Sequence, residues 1–398
     1  MKVLVACELP DSAIEQMHAL AIDVAYMPRA TPAELRESIE GIGVLVVGTT
    51  RVSPETLVPA TGLQMIVHAG PGPGEIAIKE ASGQGIFVSH CPDQHAVAVA
   101  ELTMGLILAL DRRIVENTNA LREGRWIRGE LTDARGLAGR TLGILGYGAV
   151  GRLLAHRALA FGMRVLAWAP GIASETAAEP DVEFCNWPRE LARQSDIVTV
   201  HAVGDGSDNL IDKEFLDSMQ QGAYLVHVGH PGAVEIAALS EAIRERNLRV
   251  ALDVFSSEPT SDSGRVRCTV CGQPEVVATQ HIGPLTAQAQ EATAKEVVRI
   301  VESFVVSGEV LNSLNLCDRS PATWQLVLRV RDQVGVMAAV LEAVRADGIN
   351  AEEITSRVFT GAQAAWCIIA LDERPSREAL DTIRGLTDVL HLELRAVV

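Results

Sequence analysis

Short apolar runs alternate with longer polar or amphipathic stretches along most of the chain. Lys2–Cys7 (KVLVAC) is almost wholly apolar and predicts a buried strand, while Asp11–Leu20 has the spacing of a helix with an acidic first turn. Val44–Val47, Leu63–His68 and Gly85–Ser89 predict further strands. Strand–helix alternation of this kind predicts a parallel sheet with helical crossovers. Residues 96–119 predict one long helix, apolar nearly all round at its start and so buried between layers. A second alternating series begins at Leu137, with strands at Thr141–Leu145, Arg164–Trp168, Ile197–His201, Ala223–Val228, Leu248–Val254 and Val276–Thr279. A third begins near Thr323, after the linker-like Leu316–Ala322 (LCDRSPA). It has a strand at Trp324–Val330, a helix at Val334–Asp347 and strands at Asn350–Phe359 and Ala364–Leu371. A helix at Ser376–Leu386 and a strand at Leu390–Val397 complete the order βαββαβ, that of a small ferredoxin-like module.

The second series opens with Thr141–Leu145 followed by Gly146-Tyr147-Gly148-Ala149-Val150-Gly151, a strand, a GxGxxG turn and a helix. Gly146 permits the tight turn, Gly148 lets backbone approach a pyrophosphate, and Gly151 lets helix and strand pack closely. Further βα units follow, so a dinucleotide site is expected here rather than an incidental turn. The acidic residue that would bind a ribose is missing from the end of the next strand, where Trp168-Ala169-Pro170 stand and Glu175 comes later. The cofactor expected is NAD; these residues leave NADP open.

These motifs, with VAE (Val99–Glu101), Arg122, Gly124 and Trp126, resemble the D-2-hydroxyacid dehydrogenases, and within them the phosphoglycerate dehydrogenase-like branch with a C-terminal ACT domain. LAGRTLGILGYGAVGR (Leu137–Arg152), SDIVTVH (Ser195–His201), ALDVFSSEP (Ala251–Pro259) and the stretch from Thr279 to Asn315 carry the likeness, which spans essentially the whole chain. The resemblance implies an α/β protein with two doubly wound parallel-sheet domains, Rossmann- and flavodoxin-like, and a C-terminal ACT domain. The substrate domain would comprise residues 1–99 plus 286–318, the dinucleotide domain 100–285 and the ACT-like domain 319–398. The cleft would lie between the first two.

The resemblance also implies residue roles. His281 matches the catalytic histidine, with Gln280 in place of a proline, and Glu258 matches its carboxylate partner. His201 and Asp253 join Gly146–Gly151 as cofactor contacts; Asp253 could equally be a structural strand-end carboxylate. The family's cleft arginine sits in a strand-end motif that here reads Leu225-Val226-His227-Val228-Gly229-His230-Pro231-Gly232. His230 takes the arginine position, giving up the permanent charge and bidentate fork of a guanidinium. The Gly-rich loop that presents N–H groups to a carboxylate reads AGPGPGE (Ala69–Glu75). Pro71 and Pro73 remove two donors, leaving Gly70, Gly72 and Gly74. Val47 stands where the branch carries an arginine, and Thr50 and Arg51 remain as substrate contacts. In the C-terminal module Asp332 keeps a polar loop position, but Val330 is apolar where serine-binding members carry histidine. A small amino-acid effector and a ligand-free dimerisation module are both open.

Composition narrows this picture. The charge sum of 34 basic against 51 acidic residues, −17, argues against nucleic acid or an anionic membrane as partner. It also makes a doubly anionic phosphoacid a poor fit for a cleft that has lost its arginines. Of ten histidines, seven (His68, His90, His95, His201, His227, His230 and His281) fall in segments expected to border the cleft. His227-x-x-His230 at a strand end is a poor chelating spacing, so no metal is expected. Cys268-x-x-Cys271 lacks a second pair and is expected to be two incidental thiols, and Cys91 a small buried residue. The first residues, MKVLVACELP, show no leader pattern, and a cytoplasmic protein is expected. The expected function is NAD(P)-dependent oxidoreduction, at the CH–OH group, of a small 2-hydroxy or 2-oxo acid by a homodimer or homotetramer. Two alternatives stay open: non-redox, lyase-like chemistry with a tightly bound cofactor in the His-rich cleft, and a nucleotide-sensing regulatory protein.

Overall fold

The computed structural model describes residues 1–20, 22–130, 133–172, 179–202, 208–259, 264–317 and 319–397. The chain forms two compact units, Met1–Asn315 and Leu316–Val398.

The first unit holds two parallel sheets. The N-terminal sheet contains β1 (Lys2–Ala6), β2 (Asp23–Tyr26), β3 (Val44–Val47), β4 (Met65–His68) and β5 (Phe87–His90), in the order β2-β1-β3-β4-β5. Its inner strands are apolar on both faces because helices cover both. Helix Ala287–Ser307 returns to this sheet from far along the chain. Its Val297, Ile300 and Val301 share a core with Val3, Val44 and Val67.

The second sheet contains β6 (Thr141–Leu145), β7 (Arg164–Trp168), β8 (Val182–Phe184), β9 (Ile197–Val200), β10 (Tyr224–His227), β11 (Arg249–Leu252) and β12 (Val276–Ala278). Its order is β12-β11-β10-β9-β6-β7-β8, all parallel. The order reverses between β6 and β9, which makes that gap the switch point of a doubly wound sheet.

The long helix expected over 96–119 is two helices, Ala96–Arg112 and Ile114–Arg122. Arg113 separates them in a left-handed conformation, φ 49°. Its guanidinium bonds Glu116 at 3.0 Å, fixing the start of the second helix as the chain leaves the core. The first helix is anchored by Asp111, which is fully buried. Its carboxylate meets Arg140 at 3.1 Å and the Tyr224 hydroxyl at 3.2 Å, and accepts the Gly136 N–H at 3.1 Å. A buried carboxylate needs such a set of partners.

The second unit is a four-stranded antiparallel sheet of β13 (Trp324–Arg331), β14 (Ala351–Val358), β15 (Ala364–Leu371) and β16 (Val389–Ala396), order β14-β15-β13-β16. Helices Val336–Ala346 and Arg377–Arg384 pack on it through Val340, Val344, Leu380 and Ile383. Among the described residues no helix is long and apolar enough to cross a membrane.

Candidate active site

The glycine turn sits at the switch point. Gly146 has φ 96°, and a Cβ there would lie 2.5 Å from the Ala202 nitrogen on the loop after β9. A Cβ on Gly151 would lie 2.5 Å from the Gly146 carbonyl oxygen, so bare backbone lets the helix pack against the turn. Gly148 differs, because among the described residues no atom lies within 4 Å of where its Cβ would be. It caps helix Ala149–Ala160, whose first N–H groups have no partner within the helix and no side-chain cap from Gly148. This is the cradle a pyrophosphate requires, and the residues fit a dinucleotide. The Tyr147 side chain is buried against Phe184, ring centroids 5.0 Å apart, and only its main chain belongs to the turn. β7 ends at Trp168, and no carboxylate follows through Ile172; Glu175 lies outside the described residues.

A cleft of about 370 Å³ opens from this turn. Gly146, Gly148, Ala149, Val150, Gly151 and His201 line one side, and Pro71, Asp93 and His95 come from the N-terminal sheet's end of the chain. Asp253 and His281 also face it. The His281 Nδ1 lies 2.8 Å from the Glu258 carboxylate, whose other oxygen accepts the Phe255 N–H at 2.8 Å. His281 is half exposed and adopts φ 52°, uncommon for a non-glycine residue. Asp253 holds that conformation. Its carbonyl accepts the His281 N–H at 2.8 Å. Its carboxylate accepts the Thr279 hydroxyl (2.5 Å) and the N–H groups of Ile282 and Gly283 (2.9 Å each). The strand-end aspartate therefore clasps the turn that carries His281, with three of its acceptor sites occupied.

The other histidines separate by burial. His227, at the end of β10, is 1% exposed, and among the described residues neither ring nitrogen has a hydrogen-bond partner. Burial pushes its pKa down to about 4 and that of neighbouring His201 to about 3, so both rings are neutral at pH 7. His230 is exposed, and its ring is outside the cleft lining; Nε2 lies 2.9 Å from the Asp208 carboxylate. The structure thus divides His227-x-x-His230 between core and surface. Among the described residues no group of three or more His, Cys, Asp or Glu could hold a metal ion.

The Gly70–Gly74 loop follows β4. The His68 Nδ1–H donates to the Gly72 carbonyl at 2.9 Å, and the Gly72 N–H donates to the His90 Nδ1 at 3.0 Å. Of the three glycine N–H groups in this run, Gly72's is therefore bound internally. Thr50 donates to the Ala30 carbonyl (3.3 Å) and lines a separate cavity of about 750 Å³; Arg51 lines another of about 420 Å³.

One expectation is overturned. Cys268 and Cys271 are joined in a disulfide, not two thiols, in the loop between β11 and β12. Fully buried Val270 between them anchors the loop in the core. Cys91 is buried, and burial pushes its thiol up to about 12, which leaves it unreactive. Asp208 and Thr279 were not singled out in the sequence. Each lies far along the chain from the histidine or aspartate it bonds, and no local spacing marks it.

Residues 104–283 match the family described as D-isomer specific 2-hydroxyacid dehydrogenase, NAD binding domain. The chain is 33% identical over 317 residues to a D-3-phosphoglycerate dehydrogenase of Methanocaldococcus jannaschii, covering 79% of this chain and 59% of that one. It therefore spans less than two thirds of that relative's length. A hydroxypyruvate reductase of Thermotoga maritima is 35% identical over 268 residues, 67% of this chain and 85% of the reductase. The crystal structure of the TT0316 protein from Thermus thermophilus superposes with a TM-score of 0.67 at 31% identity, over 79% of this chain and all of that one.

Proposed function

The chain belongs to the D-isomer specific 2-hydroxyacid dehydrogenase family, and from that premise we propose that it interconverts a small, unphosphorylated 2-hydroxy acid and its 2-oxo acid with NAD. The observation that carries the reading is the His281–Glu258 pair, 2.8 Å apart, in the same cleft as the glycine turn. Bound at the turn, NAD supplies the acceptor for the hydride. Nε2 of His281 takes the hydroxyl proton, and the Glu258 carboxylate at Nδ1 stabilises the ring once it is charged. Asp253 acts by holding the turn that aims the ring. His230 stands at the position of the family's arginine, but its ring lies outside the cleft lining with Nε2 on Asp208, and it takes no part in this reading. The N–H groups of Gly70 and Gly74 make no hydrogen bond within the described residues, and they serve the substrate carboxylate.

Val47 and a net charge of −17 disfavour a phosphorylated acid, and the Thermotoga relative acts on hydroxypyruvate by name, so hydroxypyruvate is the first substrate to try. Residues 1–99 with 286–318 form the substrate domain in this reading, and 100–285 the cofactor domain. Residues 319–398, ordered βαββαβ, pair copies of the chain into a dimer or tetramer, with a small amino acid as effector in the second reading. Exposed Ile354, Val358 and Phe359, on and just beyond edge strand β14, support the pairing. Titration calorimetry with NAD⁺, NADH, NADP⁺ and NADPH tests the proposal. Binding of the NAD pair is expected, and heat from none of the four would overturn it.

A further inference from the structure

The run Gly70-Pro71-Gly72-Pro73-Gly74 has a physical explanation in two histidines beneath it. His68 ends β4, His90 ends β5, and the two are direct partners in the parallel register. The His68 ring fills the underside of the loop. A Cβ on Gly74 would lie 2.7 Å from that ring, so this position must be bare, and one on Gly70 would lie 3.0 Å from it, a tight fit. Gly72 has φ 71°, a left-handed conformation that favours glycine. The loop is pinned at three points. The Cys91 N–H donates to the Gly70 carbonyl at 3.0 Å, the His68 ring donates to the Gly72 carbonyl, and the His90 ring accepts the Gly72 N–H.

We infer that His68 and His90 are positioning residues that clamp Gly72 from both sides of its peptide and withhold its N–H from the acid bound in the cleft. This rests on the reading of the loop as the carboxylate site. His90 can accept only while Nδ1 carries a lone pair, which fixes its proton on Nε2. Burial lowers the pKa of both rings, which keeps His90 in that acceptor form at neutral pH. With Pro71 and Pro73 lacking N–H groups, the clamp leaves two donors of a possible five in the run. The site is thereby set for weak hold on a carboxylate, and His90 tunes that hold without touching the substrate.

The test titrates oxalate, a mimic of a 2-oxo acid that accepts no hydride, into the full chain with NAD⁺ present. His90→Phe keeps a ring and loses the acceptor, whereas His90→Asn keeps an acceptor oxygen. Release of one N–H to a charged group should tighten oxalate about tenfold or more in His90→Phe, with His90→Asn within about twofold of the unaltered protein. The KM for hydroxypyruvate should fall in the same ratio with kcat held. Oxalate affinity equal in all three proteins, or weaker in His90→Phe, overturns the clamp; no binding in any of them counts as equal. Should His90→Phe not fold, His90→Leu is read in the same way. Oxalate binding needs no turnover. A chain that follows the oxalate pattern but reduces no 2-oxo acid keeps the clamp and loses the dehydrogenase reading.

Discussion

Glu258 reaches the cleft chemistry only through the imidazole of His281. Replacing it by Gln keeps a hydrogen-bonding group at Nδ1 and removes the charge that stabilises the protonated ring. Glu258→Gln should lower kcat about 10- to 100-fold, and His281→Asn about 10²- to 10⁴-fold, with NADH affinity unchanged in both. Steady-state kinetics with calorimetry separates this from misfolding, because loss of NADH binding in step with kcat would assign both residues to structure. The pairing of His281 with Glu258 was legible in the sequence through the motifs around them. The clamp on Gly72 was not. The prolines and glycines stood out, but their partners sit on two different strands and meet only when β4 and β5 pair. The same holds for His230 and Asp208, which are 22 residues apart and meet only once the helix and strand between them have folded.

The helix that begins after Gly148 offers a sharper test of an element. Its two glycines are bare for opposite reasons: Gly151 because protein crowds it, and Gly148 because nothing does. Gly151→Ala should lower the melting temperature, since its Cβ would press on the Gly146 carbonyl. Gly148→Ala should melt within about 1 °C of the unaltered protein, since it meets no neighbour, yet weaken NAD⁺ about tenfold or more by filling the pyrophosphate's space. Thermal melts and calorimetry on the two variants check this, and equal effects on stability would remove the argument. At this scale most of the parallel strands could be read from their apolar runs. β2 and β8 could not. They are edge strands of four and three residues with partly polar patterns, DVAY and VEF, and one exposed face leaves little periodicity to detect. The break at Arg113 was hidden too, because the helical pattern runs on through it and only the backbone turns left-handed.

Across the whole molecule, two neutral imidazoles, His227 buried beneath the cleft and His201 on its wall, carry ring nitrogens without a hydrogen bond among the described residues. Their folded pKa values, about 4 for His227 and about 3 for His201, lie below the ordinary histidine value near 6.5. Between those limits the unfolded chain binds more protons than the folded one, so stability falls as pH drops below 6.5 and levels off below the folded values. His227 alone contributes up to about 3 kcal/mol of that loss. His227→Asn should therefore lose less stability between pH 7 and pH 4 than the unaltered protein. Denaturant unfolding at several pH values reads the difference, and parallel curves would refute the buried-histidine account. The net charge of −17 belongs to this scale as well. It sets a general penalty on anionic substrates, which local donors in the cleft must offset.

The dehydrogenase reading stands or falls on net redox turnover at the cleft beside His281. The most direct measurement is absorbance at the nicotinamide band while the full chain is mixed with NADH and hydroxypyruvate, beside His281→Asn. NADH should be consumed by the unaltered chain and scarcely at all by the variant. NADH that binds but is not consumed, across a panel of small 2-oxo acids, would contradict it and leave a cofactor-holding protein without dehydrogenase activity.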